Sequence, residues 1–148
     1  MSRLAAAFAL ALLSSAPALA AEFTCPDAST IAQVGTCPTE ADLRYSFVGY
    51  CSDNARMYDK DGKQLCVSYE EYHAAKNISL WESGEFQGYL SCTTPAETLK
   101  AAKFEGVAVG KVGAMTKVVC SYDSGVEMIM RTRAKCTAEG GKITCQDK

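Results

Sequence analysis

Hydrophobic and polar positions alternate most clearly in the last third of the chain. Val118, Cys120 and Tyr122 alternate with Lys117, Val119 and Ser121, and apolar positions resume after Asp123-Ser124-Gly125 at Val126, Met128 and Met130. A period of two is the signature of a half-buried strand. A two-residue turn at Ser124-Gly125 would set Cys120 against Ile129 and Val118 against Arg131. A three-residue loop sets Cys120 against Met128 and Val118 against Met130, and gives Gly125 the left-handed position such loops need. The second register gathers the apolar groups on one face and is the expected one. It also places Lys117 opposite Arg131.

Gly140-Gly141 predicts a further turn. With two loop residues, Glu139 faces Lys142, Ala138 faces Ile143, Thr137 faces Thr144 and Cys136 faces Cys145. Counting outward from the turn puts the two cysteines at a non-hydrogen-bonded site, where Cα atoms lie about 4.5 Å apart. That spacing suits a disulfide, so register alone predicts Cys136–Cys145.

Earlier segments are less regular. Leu43, Tyr45 and Phe47 alternate with Arg44 and Ser46, which predicts a strand over 42–51. Asp59-Lys60-Asp61-Gly62 carries a hairpin signal that would set Tyr58 across from Leu65. Ser68-Tyr69-Glu70-Glu71 fits a capping box, predicting a helix over 69–76 that ends near Asn77. Thr94-Pro95-Ala96-Glu97 predicts a second helix over about 95–103, with proline at its first position. Between them, Ile78 to Ser91 predicts two strands around Ser83-Gly84. A two-residue turn there pairs Trp81 with Phe86 and sets Glu82 against Glu85; a three-residue turn pairs Leu80 with Phe86. Cys25-Pro26 and Cys37-Pro38 predict pinned, extended or turn segments at the start of the domain.

The N-terminus changes the setting of all this. Arg3, the apolar run Leu4–Leu13 and Ala18-Leu19-Ala20 form a secretory leader with cleavage expected after Ala20. The run is too short for a membrane span, which needs about 20 apolar residues. The expected mature protein, residues 21–148, is 148 − 20 = 128 residues, a length that suits one domain.

All eight cysteines follow the cut: Cys25, Cys37, Cys51, Cys66, Cys92, Cys120, Cys136 and Cys145. An even count in an oxidising compartment predicts four disulfides. The closest two have eight residues between them, so neither the close pairs of a zinc site nor a C-x-x-C redox motif is present. No metal and no cofactor is expected. After Cys136–Cys145, Cys51–Cys66 is the next expected bridge, since the two would flank one hairpin. The pairing of Cys25, Cys37, Cys92 and Cys120 is left open.

Loss of Arg3 with the leader leaves a net charge of 14 − 17 = −3. Residues 21–99 carry 5 bases and 12 acids; residues 100–148 carry 9 bases and 5 acids. The total is not basic enough to point to nucleic acid.

Few residues offer catalytic chemistry. The single histidine, His73, falls inside the first predicted helix, where a surface position accounts for it. Glu70, Glu71, Glu82 and Glu85 supply carboxylates, but Glu71 is accounted for as a cap and Glu82 and Glu85 flank a turn. Asp59-x-Asp61-Gly62 fails as an EF-hand, because Met57 and Ser68 occupy positions that need carboxylates. Gly106-Val-Ala-Val-Gly110-Lys111 is one residue short of a phosphate loop and has Val112 where a hydroxyl is needed. Asn77-Ile78-Ser79 matches a glycosylation acceptor, relevant only in a eukaryotic source, whereas the alanine-rich leader points to a bacterial one.

One pattern remains. In the strand expected after Gly125, Arg131, Arg133 and Lys135 occupy the odd positions and project from one side, with Lys117 opposite Arg131. Such a row can bind an anionic group or acidic partner, or it can simply solvate a sheet face and guard an edge.

The expected fold is α+β: a mainly antiparallel β-sheet of hairpins with two short helices, stapled by disulfides. In style the mature chain resembles small cysteine-rich periplasmic proteins of bacteria, some of them inhibitors or immunity proteins. No family motif carries that likeness, so no residue roles follow from it. The expected function is a periplasmic or secreted binding protein, not an enzyme, whose partner is another protein or an anionic envelope component. A secreted envelope-acting enzyme using His73 and glutamates, or a structural surface-attached protein, are the alternatives.

Overall fold

The computed structural model describes residues 20–57 and 65–147. The expected leader falls on residues 1–20, of which only Ala20 is described, and the turn expected at 59–62 also lies outside the described residues. The strands are β1 (Ala21–Thr24), β2 (Ala32–Gln33), β3 (Ile78–Ser83), β4 (Phe86–Ser91), β5 (Phe104–Val112), β6 (Met115–Tyr122), β7 (Glu127–Thr132), β8 (Lys135–Glu139) and β9 (Lys142–Gln146). The α-helices are α1 (Glu40–Cys51), α2 (Asn54–Met57), α3 (Tyr69–Lys76) and α4 (Ala96–Lys100). The fold is therefore α+β and mostly antiparallel, with four short helices among the described residues where two were expected.

Two sheets form. One has the order β1-β9-β8, the other β2-β3-β4-β7-β6-β5. The second is not a simple meander, because β4 pairs with β7 through Gln87 and Ile129. Gly88 makes that junction possible. A Cβ there would lie 2.5 Å from the Glu127 carbonyl oxygen and 2.9 Å from Met128 Sδ.

β6 shows why the sheet has an inside. Thr116, Val118, Cys120 and Tyr122 are buried while the residues between them are half-buried. Across from them Met128 and Met130 complete the apolar layer, with Val118 opposite Met130 and Cys120 opposite Met128. This is the three-residue-loop register, and Gly125 has φ +74°. The main core adds Trp81, Phe86, Leu90, Leu99 and Ile143.

The last pair also follows its sequence. Glu139 faces Lys142, Ala138 faces Ile143, and Cys136 faces Cys145. Gly140 and Gly141 have φ of +55° and +85°, conformations that only glycine adopts freely. The Cys136 and Cys145 Cα atoms are 4.1 Å apart and the sulfurs are bonded.

Four expectations need correction. Residues 40–51 are helix, not strand. Thr39 Oγ1 accepts from the Asp42 amide while Asp42 accepts from the Thr39 amide, a reciprocal cap that overrides the short alternation. On a helix, Leu43, Phe47 and Tyr50 share one face. Leu43 is buried there, whereas Tyr45 is 85% exposed.

α4 is shorter than 95–103. Pro95 stands at its N-cap and no side chain caps it, so Thr94 does not take the capping role. The β3–β4 turn is Gly84-Glu85, pairing Ser83 with Phe86 and Glu82 with Gln87. Neither expected register holds: this one removes the Glu82–Glu85 clash and lets Gln87 Nε2 donate to Glu82 Oε1 at 3.0 Å. The strand after Gly125 is split between β7 and β8, which belong to different sheets.

All eight cysteines are bonded, as Cys25–Cys120, Cys37–Cys92, Cys51–Cys66 and Cys136–Cys145. Cys51–Cys66 forms as expected, but Cys51 ends a helix and not a hairpin strand. Helices α1 to α3 make an excursion between β2 and β3 with aromatic packing of its own. The Phe47 ring meets Tyr69 and Tyr72 edge-on, at 5.6 and 5.3 Å between centroids, a favoured aromatic geometry. Cys37–Cys92 clamps the base of the excursion, and there the Cys92 amide also donates to the Asn77 carbonyl. α3 spans 69–76 as predicted, but only half of the expected capping box forms: Ser68 Oγ accepts from the Glu71 amide, while the Ser68 hydroxyl bonds to Glu70 and Glu71 does not reach back.

Candidate functional site

Lys117 and Arg131 stand directly opposite each other on β6 and β7. Their neighbours Val118 and Met130 point into the core, so the two cations project from the outer face of the six-stranded sheet. On the other side of Lys117, Gly110 of β5 is its ladder partner. Gly110 has no side chain, so none stands directly opposite the lysine on that flank.

Arg133 sits at the bend between β7 and β8. Two hydrogen bonds fix that bend: Thr116 Oγ1 donates to the Ala134 carbonyl at 2.6 Å, and the Ala134 amide donates to Thr132 Oγ1 at 3.2 Å. Ala134 is buried, while Arg131, Arg133 and Lys135 are exposed. Lys135 opens β8 and lies in the three-stranded sheet, so the expected row of three cations is not carried by one continuous strand. Among the described residues, none of Lys117, Arg131, Arg133 and Lys135 forms an ion pair.

Lys135 has a neighbour that sequence reading did not place in this group. A cleft of about 360 Å³ separates β5 from β8, and Lys111 and Lys135 both line it, with Thr116 and Cys136. Only the meeting of the two sheet edges brings Lys111 there; in sequence it stood out solely as part of a failed phosphate loop.

The acid–base candidates lie elsewhere. His73 Nε2 is 3.6 Å from Glu40 Oε2, a contact between α3 and α1 with the two side chains 33% and 53% exposed. Glu40 also pairs with Arg44 at 2.8 Å, and the Arg44 guanidinium lies 4.5 Å from the Tyr69 ring centroid. A main-chain hydrogen bond and the Ser68 hydroxyl hold the Glu70 carboxyl below the usual carboxylate range, which keeps it ionised and unsuited to donate a proton near neutrality. Glu82 accepts from Gln87. Among the described residues no cluster of three metal-ligating side chains occurs, and no helix is long and apolar enough to cross a membrane.

No family model, curated protein or solved structure matches this chain.

The arrangement can do one thing plainly. Lys117 and Arg131 are held opposite each other without a carboxylate between them, on a rigid cross-linked sheet. Like charges placed so are mildly destabilising. An anionic group set over the pair removes that repulsion and gains charge-assisted hydrogen bonds.

Proposed function

We propose that this protein is exported to the periplasm or beyond, after loss of residues 1–20, and acts there as a non-catalytic binding protein. Its partner is another protein or an anionic component of the cell envelope, and inhibition or immunity is the role such a binder fills. The outward Lys117–Arg131 pair makes the contact, with Arg133 at the bend that follows; Lys135 belongs to the other sheet. The observation that carries this reading is the direct Lys117–Arg131 pairing on the outer face. The four disulfides support the location, because bonds of this kind persist in oxidising compartments.

An envelope-acting enzyme is the competing reading, and the His73–Glu40 contact is its one supporting observation. At 3.6 Å that contact is beyond hydrogen-bond distance, and its partner is not one of the glutamates the sequence singled out.

The test is capture from envelope extract on immobilised, oxidised mature protein, with mass spectrometry of what is retained. The expected result is an acidic ligand kept by the wild type and lost by Arg131→Glu with Arg133→Glu, with the fold unchanged. Equal retention by both proteins would remove the basic face from the account.

A further inference from the structure

The edges of the two sheets flank one cleft. β5 ends the six-stranded sheet and β8 ends the three-stranded one. They are closed together at one end, where the Phe104 ring lies 3.3 Å from the place of a Gly141 Cβ. Val107 and Ala138 pack against the core beside it. At the other end, the cleft of about 360 Å³ is lined by Val109 and Lys111 of β5 and by Lys135 and Cys136 of β8. The Thr116 bond to the Ala134 carbonyl ties the two sheets together there.

Register dictates where the main chain of each edge points. Val112 faces Met115 across the Gly113-Ala114 turn, so Lys111 and Val109 fall at non-hydrogen-bonded sites. Their N–H and C=O groups point away from β6. The same count from Gly140-Gly141 turns those of Cys136 away from β9. Among the described residues, none of these groups is paired with another main-chain group. A row of this kind is a template for a further strand.

Charge selects which strand. Lys111 and Lys135 both line the cleft and no carboxylate does. Among the described residues neither lysine is ion-paired. We propose that the cleft takes an extended acidic segment of a partner protein, which adds to the β5 edge as a strand and sets its carboxylates against Lys111 and Lys135. A free inorganic anion would meet the donors and leave the carbonyls of Val109, Lys111 and Cys136 unpaired, whereas a peptide supplies both kinds of group. A second copy pairing through its own β5 would bring another Lys111 into a cleft that is already positive. The cleft uses neither Lys117 nor Arg131, so this contact stands or falls separately from the binding function proposed above.

The probe is a capped peptide of alternating glutamate and valine, about six residues long, titrated to about 1 mM into the isotope-labelled, oxidised protein. The expected result is saturable amide shifts at Val109, Lys111 and Cys136, with slowed hydrogen exchange of those amides. Lys111→Glu with Lys135→Glu should weaken binding about tenfold or more, because like charges then oppose the peptide. Methylation of every main-chain nitrogen of the peptide removes its donors and should abolish binding. Near-UV circular dichroism checks the fold of the double variant, and the methylated peptide tests strand pairing on the unaltered protein. Absence of shifts at these amides would overturn the proposal. So would equal shifts from the methylated peptide or from inorganic phosphate, either of which would make the cleft an anion site only.

Discussion

Tyr122 donates its hydroxyl to the main-chain carbonyl of Pro26, 96 residues away in sequence. The bond sits two residues from Cys120, whose disulfide to Cys25 joins the same two stretches of chain. The N-terminal segment is thus fixed to β6 by one covalent and one polar link. Tyr122 is 2% exposed, so Tyr122→Phe leaves a carbonyl without its partner. That should cost about 1–3 kcal/mol, read as a lower urea midpoint with an unchanged slope.

The same bond gives a pH dependence. Burial, helped by the Asp27 charge, pushes the Tyr122 hydroxyl up to about 12, from 10.0. A group whose folded pKa is raised stabilises fully below its unfolded value and loses that contribution as pH rises through the folded one. Stability of the wild type should therefore decline between about pH 10 and 12, and Tyr122→Phe should show a flatter decline over that window in urea titrations.

The disulfides should differ in worth according to the loop each closes. Cys25–Cys120 spans 95 residues and Cys136–Cys145 spans 9. Loop-closure entropy taken alone gives about 4.7 kcal/mol for the first and about 2.6 for the second. Replacing both cysteines of each pair by alanine should reproduce that order in thermal melts.

At Gly88, β4 lies against the Glu127 backbone of β7 with no room for a side chain. The Cβ of Gly88→Ala would press on the Glu127 backbone, which cannot swing aside as a side chain can. Overpacking of this kind costs about 1–3 kcal/mol, and the backbone contact places Gly88→Ala at the upper end. Amide exchange should show the loss concentrated at the β4–β7 junction.

Function and stability should separate at Lys117. Lys117→Glu replaces a like-charge pair with an opposite-charge pair against Arg131. It should stabilise the fold by about 0.2–1 kcal/mol while abolishing capture of the acidic ligand. A melt and a binding assay on one preparation check both signs.

Legibility followed the range of the forces involved. The β6–β7 and β8–β9 registers could be read because one apolar face and one glycine turn each exclude the alternatives, and Cys136–Cys145 came with the register. Residues 40–51 misled because Leu43, Tyr45 and Phe47 alternate over too short a stretch to tell period two from the apolar spacing of a helix. Thr39 and Asp42 decide the matter through a cap three residues wide. Cys25–Cys120 and Cys37–Cys92 join segments 95 and 55 residues apart, which no local pattern encodes. Within the candidate site, the Lys117–Arg131 pair was visible from register. The split after Arg133 and the arrival of Lys111 beside Lys135 depend on how two sheets meet.

Amide chemical-shift mapping of the isotope-labelled protein, titrated with the ligand captured from envelope extract, tests the central claim most directly. The account predicts perturbations that cluster at Lys117, Arg131 and Arg133 and fade as salt is raised. Perturbations confined to α1, or to the surroundings of His73 and Glu40, would contradict it.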